Sequence, residues 1–275
     1  MVTLLLGAFV GIVLGLTGAG GSIIAVPLLM VTLGWTLPQA APVALLAVAM
    51  AATIGAVTAW RQNLVRYRAA TLMVIVGWLT TPIGVAAAHR LPASVLSILF
   101  SAVLALVAVR LLLQARRMPE ETRIVAARLD GGDARNAVCR VNPESGRIRW
   151  NSPCAAALAS TGAMTGVLSG LLGVGGGFII VPALRKATEL TMHGAVATSL
   201  MVIALVSTGA AIGALAHGAV IPVAVGVPFV GGAMLGMGGG RVLAPKIAGP
   251  ALQSGFAVLV LVIASGLTVK ALGLI

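Results

Sequence analysis

Two glycine clusters embedded in apolar sequence hold the residues most able to bind something. The first comprises Gly18, Gly20 and Gly21, flanked by the hydroxyls of Thr17 and Ser22, with Pro27 following. The second comprises Gly173, Gly175, Gly176 and Gly177, followed by Pro182. Residues 15–29 and 170–184 are identical at nine of fifteen positions, at an offset of 155. Glycines that interrupt a helix release backbone N–H groups at the new N-terminus, where the helix dipole is positive. Without a Cβ, they also let those amides approach a ligand closely. Two such N-termini, at Ser22 and Gly177, make an anion cradle that needs no buried charged side chain. Pro27 and Pro182 lack an N–H, which frees the carbonyls of Ile23 and Phe178 and bends each short helix. Close helix packing is the competing use of the same glycines.

A Thr-Ser pair, Thr198-Ser199, follows the second cluster. It can donate to an oxyanion or bond back to the carbonyl one turn earlier. The nearest first-half counterpart, Ala41-Pro42-Val43-Ala44, lacks the hydroxyls, so the site reads as asymmetric. Other chemistries find no support. There is no nucleophile–base pair and no metal-ligand spacing, and the glycine clusters lack the Gly-Lys-Ser/Thr ending of a nucleotide loop. The sequence therefore predicts a non-enzyme with no cofactor and no metal. Glu189 reads as a local surface ion pair with Arg185 and Lys186, or as a gate residue. His89, His193 and His217 fall at span ends and read as interfacial anchors. Cys139 and Cys154 show no pairing pattern and are expected as unpaired thiols in a reducing compartment.

The elements that must position these residues are membrane helices. The 275 residues are 59% hydrophobic and 9% charged, with a mean hydropathy of +1.10, whereas soluble domains carry roughly 25% charged residues. The net charge of +12 does not mark a nucleic-acid binder, because the basic residues sit between the apolar runs and not along one face. Apolar spans are predicted at 2–18, 38–60, 69–88 and 93–113, then at 154–172, 193–216, 219–240 and 250–272. Residues 22–33 and 178–187 are shorter, and 22–33 would reach only about 18 Å as a helix, less than the roughly 30 Å hydrocarbon core. Each pairs with the span before it as a hairpin turning inside the membrane. Gly231, Gly232, Gly236 and Gly240 have the small-xxx-small spacing of helix packing. Trp35, Trp60 and Trp150 suit an interfacial belt, and Trp78 lies deeper.

Residues 114–153 differ, holding eight arginines and five of the six acidic residues. The flanks 137–141 and 147–150 could pair as a small β-hairpin. The domains read as a first transmembrane repeat over 1–113, a linker over 114–153, and a second repeat over 154–275. Each repeat is a glycine-broken hairpin plus three crossings. Three is odd, so the second repeat enters from the opposite face and the repeats are inverted. With the linker inside, the other inner loops carry Arg61, Arg66, Arg68, Arg185, Lys186, Arg241 and Lys246, while the outer face holds Arg90 and Lys270. Seven against two places both termini outside and the linker in the cytoplasm, with Arg110 snorkelling to the inner face. The fold class is an all-α polytopic membrane protein of two inverted repeats.

The paired Gly-x-Gly-Gly-x-x-x-x-x-Pro motifs at 18–27 and 173–182, Ala-Thr-Ser-Leu at 197–200, and the basic loop at 61–68 resemble the sulfite exporter TauE/SafE family. The resemblance covers nearly the whole chain apart from the linker. It implies transport of small sulfur-containing anions, such as sulfite, sulfonates or sulfoacetate, across a bacterial inner membrane. The expected partners are a small anionic substrate and the lipid bilayer, not nucleic acid, and a homodimer is compatible with the sequence. The residues expected around the substrate are Thr17, Gly18, Gly20, Gly21 and Ser22, then Gly173, Gly175, Gly176 and Gly177, then Thr198 and Ser199. No Asp, Glu or Lys lies mid-span to carry a proton, and this leans toward export, which is electrically downhill for an anion, or toward passive uniport; an anion channel, an uptake permease for another small organic anion and a non-transporting membrane scaffold or sensor are the alternatives.

Overall fold

A computed structural model describes residues 1–18, 21–62, 64–128, 139, 151–188, 192–247, 255, 257–258 and 260–266. Nine helices are delimited among them: α1 Val2–Thr17, α2 Gly21–Leu33, α3 Leu37–Arg61, α4 Tyr67–Arg90, α5 Ala93–Arg128, α6 Ser152–Leu172, α7 Gly177–Ala187, α8 Met192–Ala216 and α9 Val223–Ile247. The described residues at 255–266 are helical too. In a bilayer every backbone N–H and C=O must find its partner within the segment, so apolar runs of this length become helices. Helices α3, α4, α6, α8 and α9 contain windows long and apolar enough to cross a membrane, whereas α1 and α2 are shorter apolar helices. The chain is thus an all-α polytopic membrane protein. Leu79 on α4 and Leu235 on α9, each 72% exposed, are typical of its apolar outer surface.

Helix ends follow local chemistry. Gly18 and Gly173 close α1 and α6 with left-handed φ of 72° and 70°. Thr36 and Gln39 form a capping box at the start of α3. Most expected spans match within a few residues, with two differences. Helix α5 continues through residues 114–128, into the segment read as linker. Arg241 and Lys246, read as loop residues, lie inside α9. Apart from Pro119, the extension of α5 is rich in Ala, Arg and Glu, which favour helix, and positive charge alone does not end a helix. The proposed hairpin at 137–150 falls outside the described residues, except for Cys139.

The packing swaps partners between the two halves. Helix α1 lies along α9 and α6 along α4, while α3 and α8 form the centre. Exchanging the halves maps α1–α9 onto α6–α4 and the central pair onto itself, because α1, α3 and α4 correspond to α6, α8 and α9. Hydrophobicity does not drive helices together in lipid, so small residues must let backbones touch. On α1, a Cβ at Gly7 or Gly11 would fall 2.1 Å from the carbonyl oxygen of Phe229 or Ala233. Reciprocally, Gly232 and Gly236 of α9 face the Leu4 and Ala8 carbonyls at the same distance. Gly162, Gly166 and Gly170 of α6 meet Met73, Gly77 and Thr81 of α4 in the equivalent way. The expected packing role therefore holds for Gly232, Gly236 and Gly240, while Gly231 faces open space. Trp78 bridges α4 to α8 by donating to the Leu205 carbonyl at 2.8 Å, over the bare face of Gly209.

Cys139 and Cys154 form a disulfide, correcting the expectation of unpaired thiols. Their separation of 15 residues carries no signature. The fold brings them together by pairing Cys139 with Thr188, the C-cap of α7, beside the start of α6. Both cysteines are fully buried.

Candidate functional site

The two glycine turns face the central pair α3 and α8. At the first turn, Gly18 abuts α8, where an added Cβ would lie 2.3 Å from Cγ1 of Val196. At the second, Gly173 abuts α3, its Cβ position 2.3 Å from that of Ala41. Each turn therefore docks on the central helix of the opposite half. Gly175 lies against both central helices. Its Cβ position lies 3.3 Å from Val48, 3.7 Å from Ile203 and 2.6 Å from the Ser207 hydroxyl. Val48 and Ile203 are each at the middle of their helices. Gly175 and Gly176 both have left-handed φ, 69° and 63°, which turns the chain from α6 into α7 within a few residues. Gly177 opens α7, and Gly21 opens α2 against Val10 and Leu14 of α1. Gly20 falls outside the described residues. Pro27 and Pro182 lie within α2 and α7, whose helices continue past them.

The candidate hydroxyls are mostly engaged inside the protein. Thr17 donates to the Val13 carbonyl at 2.7 Å. Thr198 donates to Gly194 at 2.8 Å and accepts from the Arg66 backbone N–H at 3.2 Å. Ser199 donates to Val196 at 2.8 Å and lies 3.4 Å from the Gly18 carbonyl. Ser22 is fully buried. The Thr198-Ser199 pair thus sits at the first glycine turn, not the second, where it ties α8 to the turn and to the loop entering α4. Arg241 adds another tie on this side, donating from Nη1 to the Gly55 carbonyl and joining α9 to α3.

Sequence reasoning missed a different set of hydroxyls. Four buried side-chain polar atoms among the described residues find no partner in the protein: Thr165 Oγ1, Ser169 Oγ, Ser207 Oγ and Arg66 Nε. The Ser207 hydroxyl borders the second turn directly, Thr165 borders it through its methyl and backbone, and Ser169 lies in the last turn of α6 leading into it. The Thr165 methyl faces Gly176, Ser207 faces Gly175, and the Ser169 carbonyl accepts the Gly173 N–H at 3.0 Å. Thr165 and Ser169 are one helical turn apart and share a face of α6. The available signal was the repeat itself. At the offset of 155 the first half has Val10, Leu14 and Ala52, so three apolar positions become three hydroxyls.

Short helices joined by glycine turns that dock on a central helix pair suit a multi-pass membrane protein of the transporter class. Residues 3–267 match the family described as sulfite exporter TauE/SafE. The chain belongs to that family, and it is a membrane transporter and not an enzyme. It is similar to a "Probable membrane transporter protein" of Xylella fastidiosa strain Temecula1, 28% identical over 252 residues, covering 90% of this chain and 85% of that one. Its similarity to the protein of the same description from strain 9a5c is 29% over 249 residues, with the same coverage. No solved structure matches the chain.

Proposed function

We propose that the chain is a secondary transporter that exports small sulfur-containing anions of the sulfite, sulfonate or sulfoacetate type, by alternating access at a midplane site. The observation that carries this reading is the seat of Gly175, pressed between the middles of α3 and α8 at the N-terminus of the half-helix α7. There, amide dipoles rather than side-chain charge meet the anion. The interchangeable packing of the two halves supports inverted repeats over 1–113 and 154–275, rocking against each other about the central pair. The charge bias supports a bacterial inner-membrane protein with the linker cytoplasmic and both termini outside. None of the segments α1–α4 and α6–α9 contains Asp or Glu, so no carboxylate there carries a coupling proton. Outward anion movement from a negative-inside cell gains about 2.3 kcal/mol per charge per 100 mV without one.

The test is flux in proteoliposomes. Saturable sulfite or methanesulfonate efflux driven by an imposed potential is expected. Conductance without saturation would indicate a channel, and flux of carboxylates alone would remove the sulfur assignment.

A further inference from the structure

We propose that the anion is held at the second glycine turn alone, as a three-oxygen –SO3 head group that accepts hydrogen bonds from Thr165, Ser169 and Ser207. This rests on the reading that the chain carries an anion. The first turn then acts as a fastened counterpart that does not bind.

A Ser or Thr with no better partner bonds to the carbonyl three or four residues back. Thr53, Thr80, Thr81, Ser101, Thr161 and Thr208 all do so here, at 2.7–2.9 Å. Thr165, Ser169 and Ser207 are fully buried and do not. A buried hydroxyl without a partner is costly, and native proteins hold few of them. Ser207 reaches the turn from α8, Thr165 touches it from α6, and Ser169 lies one helical turn from Thr165 on the same face; three unpartnered hydroxyls on two helices beside one turn point to a shared ligand. The Ser207 hydroxyl faces Gly175, whose missing side chain leaves it room.

The same turn fixes the sign of that ligand. The first N–H groups of α7 have no intrahelical partner, and its dipole presents positive charge to the turn. A cation there would meet that positive end, with no Asp or Glu in α3, α6, α7 or α8 to offset it. Hydroxyl and amide donors together suit an oxyanion. Donors from two helices and a turn can surround a head group with three oxygens more completely than a planar carboxylate with two.

The first turn differs in its hydroxyls. Its matching positions, Val10, Leu14 and Ala52, are apolar and buried, and the neighbouring Thr198 and Ser199 hydroxyls already have partners. One turn is built to bind and the other to hold.

The experiment uses the purified full-length protein and four single variants: Thr165→Val, Ser169→Ala, Ser207→Ala and, as control, the exposed Thr208→Val. Melting temperature and affinity are measured with sodium sulfite, sodium methanesulfonate and sodium acetate at matched sodium, and sulfite flux is measured in liposomes. Each of the first three variants should bind sulfite and methanesulfonate about tenfold or more weakly, the scale of one hydrogen bond to a charged group. Their melting without ligand should stay the same or rise, because an unpartnered buried hydroxyl has been removed. Thr208→Val should match wild type. Wild-type affinity in the three variants would overturn the proposal, as would lowered ligand-free stability or stabilisation that follows sodium and not the anion. A wild type that moves no sulfur oxyanion would overturn the transport reading itself. Normal wild-type flux with unaffected variants would overturn only this subsite.

Discussion

Gly175→Ala probes the seat of the second turn most directly. Gly175 adopts φ of +69°, and its Cβ position lies 2.6 Å from the Ser207 hydroxyl oxygen and 3.3 Å from Val48 Cγ1. An alanine in the left-handed region costs about 1–2 kcal/mol. The Ser207 contact is closer than carbon and oxygen tolerate, so the hydroxyl must rotate away or the turn must shift, adding about 1 kcal/mol on the scale of overpacking. The Val48 contact is tight but falls on a side-chain methyl. The single variant should therefore lose about 2–3 kcal/mol and its sulfite affinity, while Ser207→Ala alone should cost nothing in the ligand-free protein. In the double variant the oxygen is gone and only the backbone strain remains, so it should recover about 1 kcal/mol relative to Gly175→Ala. Thermal or urea unfolding in detergent reads all four corners of this cycle. A double variant no more stable than Gly175→Ala would refute the placement of Ser207 against Gly175.

Gly236→Ala should disrupt the α1–α9 seam, since its Cβ would lie 2.1 Å from the Ala8 carbonyl oxygen, which cannot move unless the helices part; loss of a monodisperse peak on size exclusion checks this. Arg241→Met should destabilise the protein by about 1.5–3 kcal/mol, the value of a charge-assisted bond, because the Gly55 carbonyl loses its Nη1 donor; a melting curve identical to wild type would show that the tie is idle. Reducing Cys139–Cys154, 15 residues apart, should remove up to about 3 kcal/mol, the value for closing a loop of that size. Disulfides persist in oxidising compartments, whereas the proposed topology would put this pair on the cytoplasmic side. Maleimide labelling of alkylation-quenched cells should therefore find free thiols in the cell and the bond only after isolation. A bond intact in cells would overturn the inward linker.

The resemblance to the sulfite exporter family was carried by residues local in sequence, and so were the helices. Hydropathy and the glycine clusters placed the ends of α1, α2, α6 and α7 within a residue or two. Intramembrane backbone has few options, and a glycine in the left-handed region ends a helix regardless of its neighbours. The packing role of Gly232, Gly236 and Gly240 was legible for the same reason, since a stripe at spacing four is a property of one helix. The donors were not legible. Thr198 and Ser199 follow the second cluster in sequence, yet the swapped docking puts them against the first turn. Nothing in the sequence shows that α8 faces Gly18 and α3 faces Gly173.

The sequence by itself determined that the chain is a duplicated bundle of apolar helices with two glycine breaks, because helix formation and helix breaking in lipid depend on residues close along the chain. Only the tertiary structure decided which hydroxyls remain unpartnered. Any helical Ser or Thr can bond its own preceding turn, and whether Thr165, Ser169 and Ser207 do so depends on which surfaces meet them across the fold. The tertiary structure likewise joined Cys139 to Cys154 and carried Arg241 to Gly55, contacts set by the register of helices far apart in the chain.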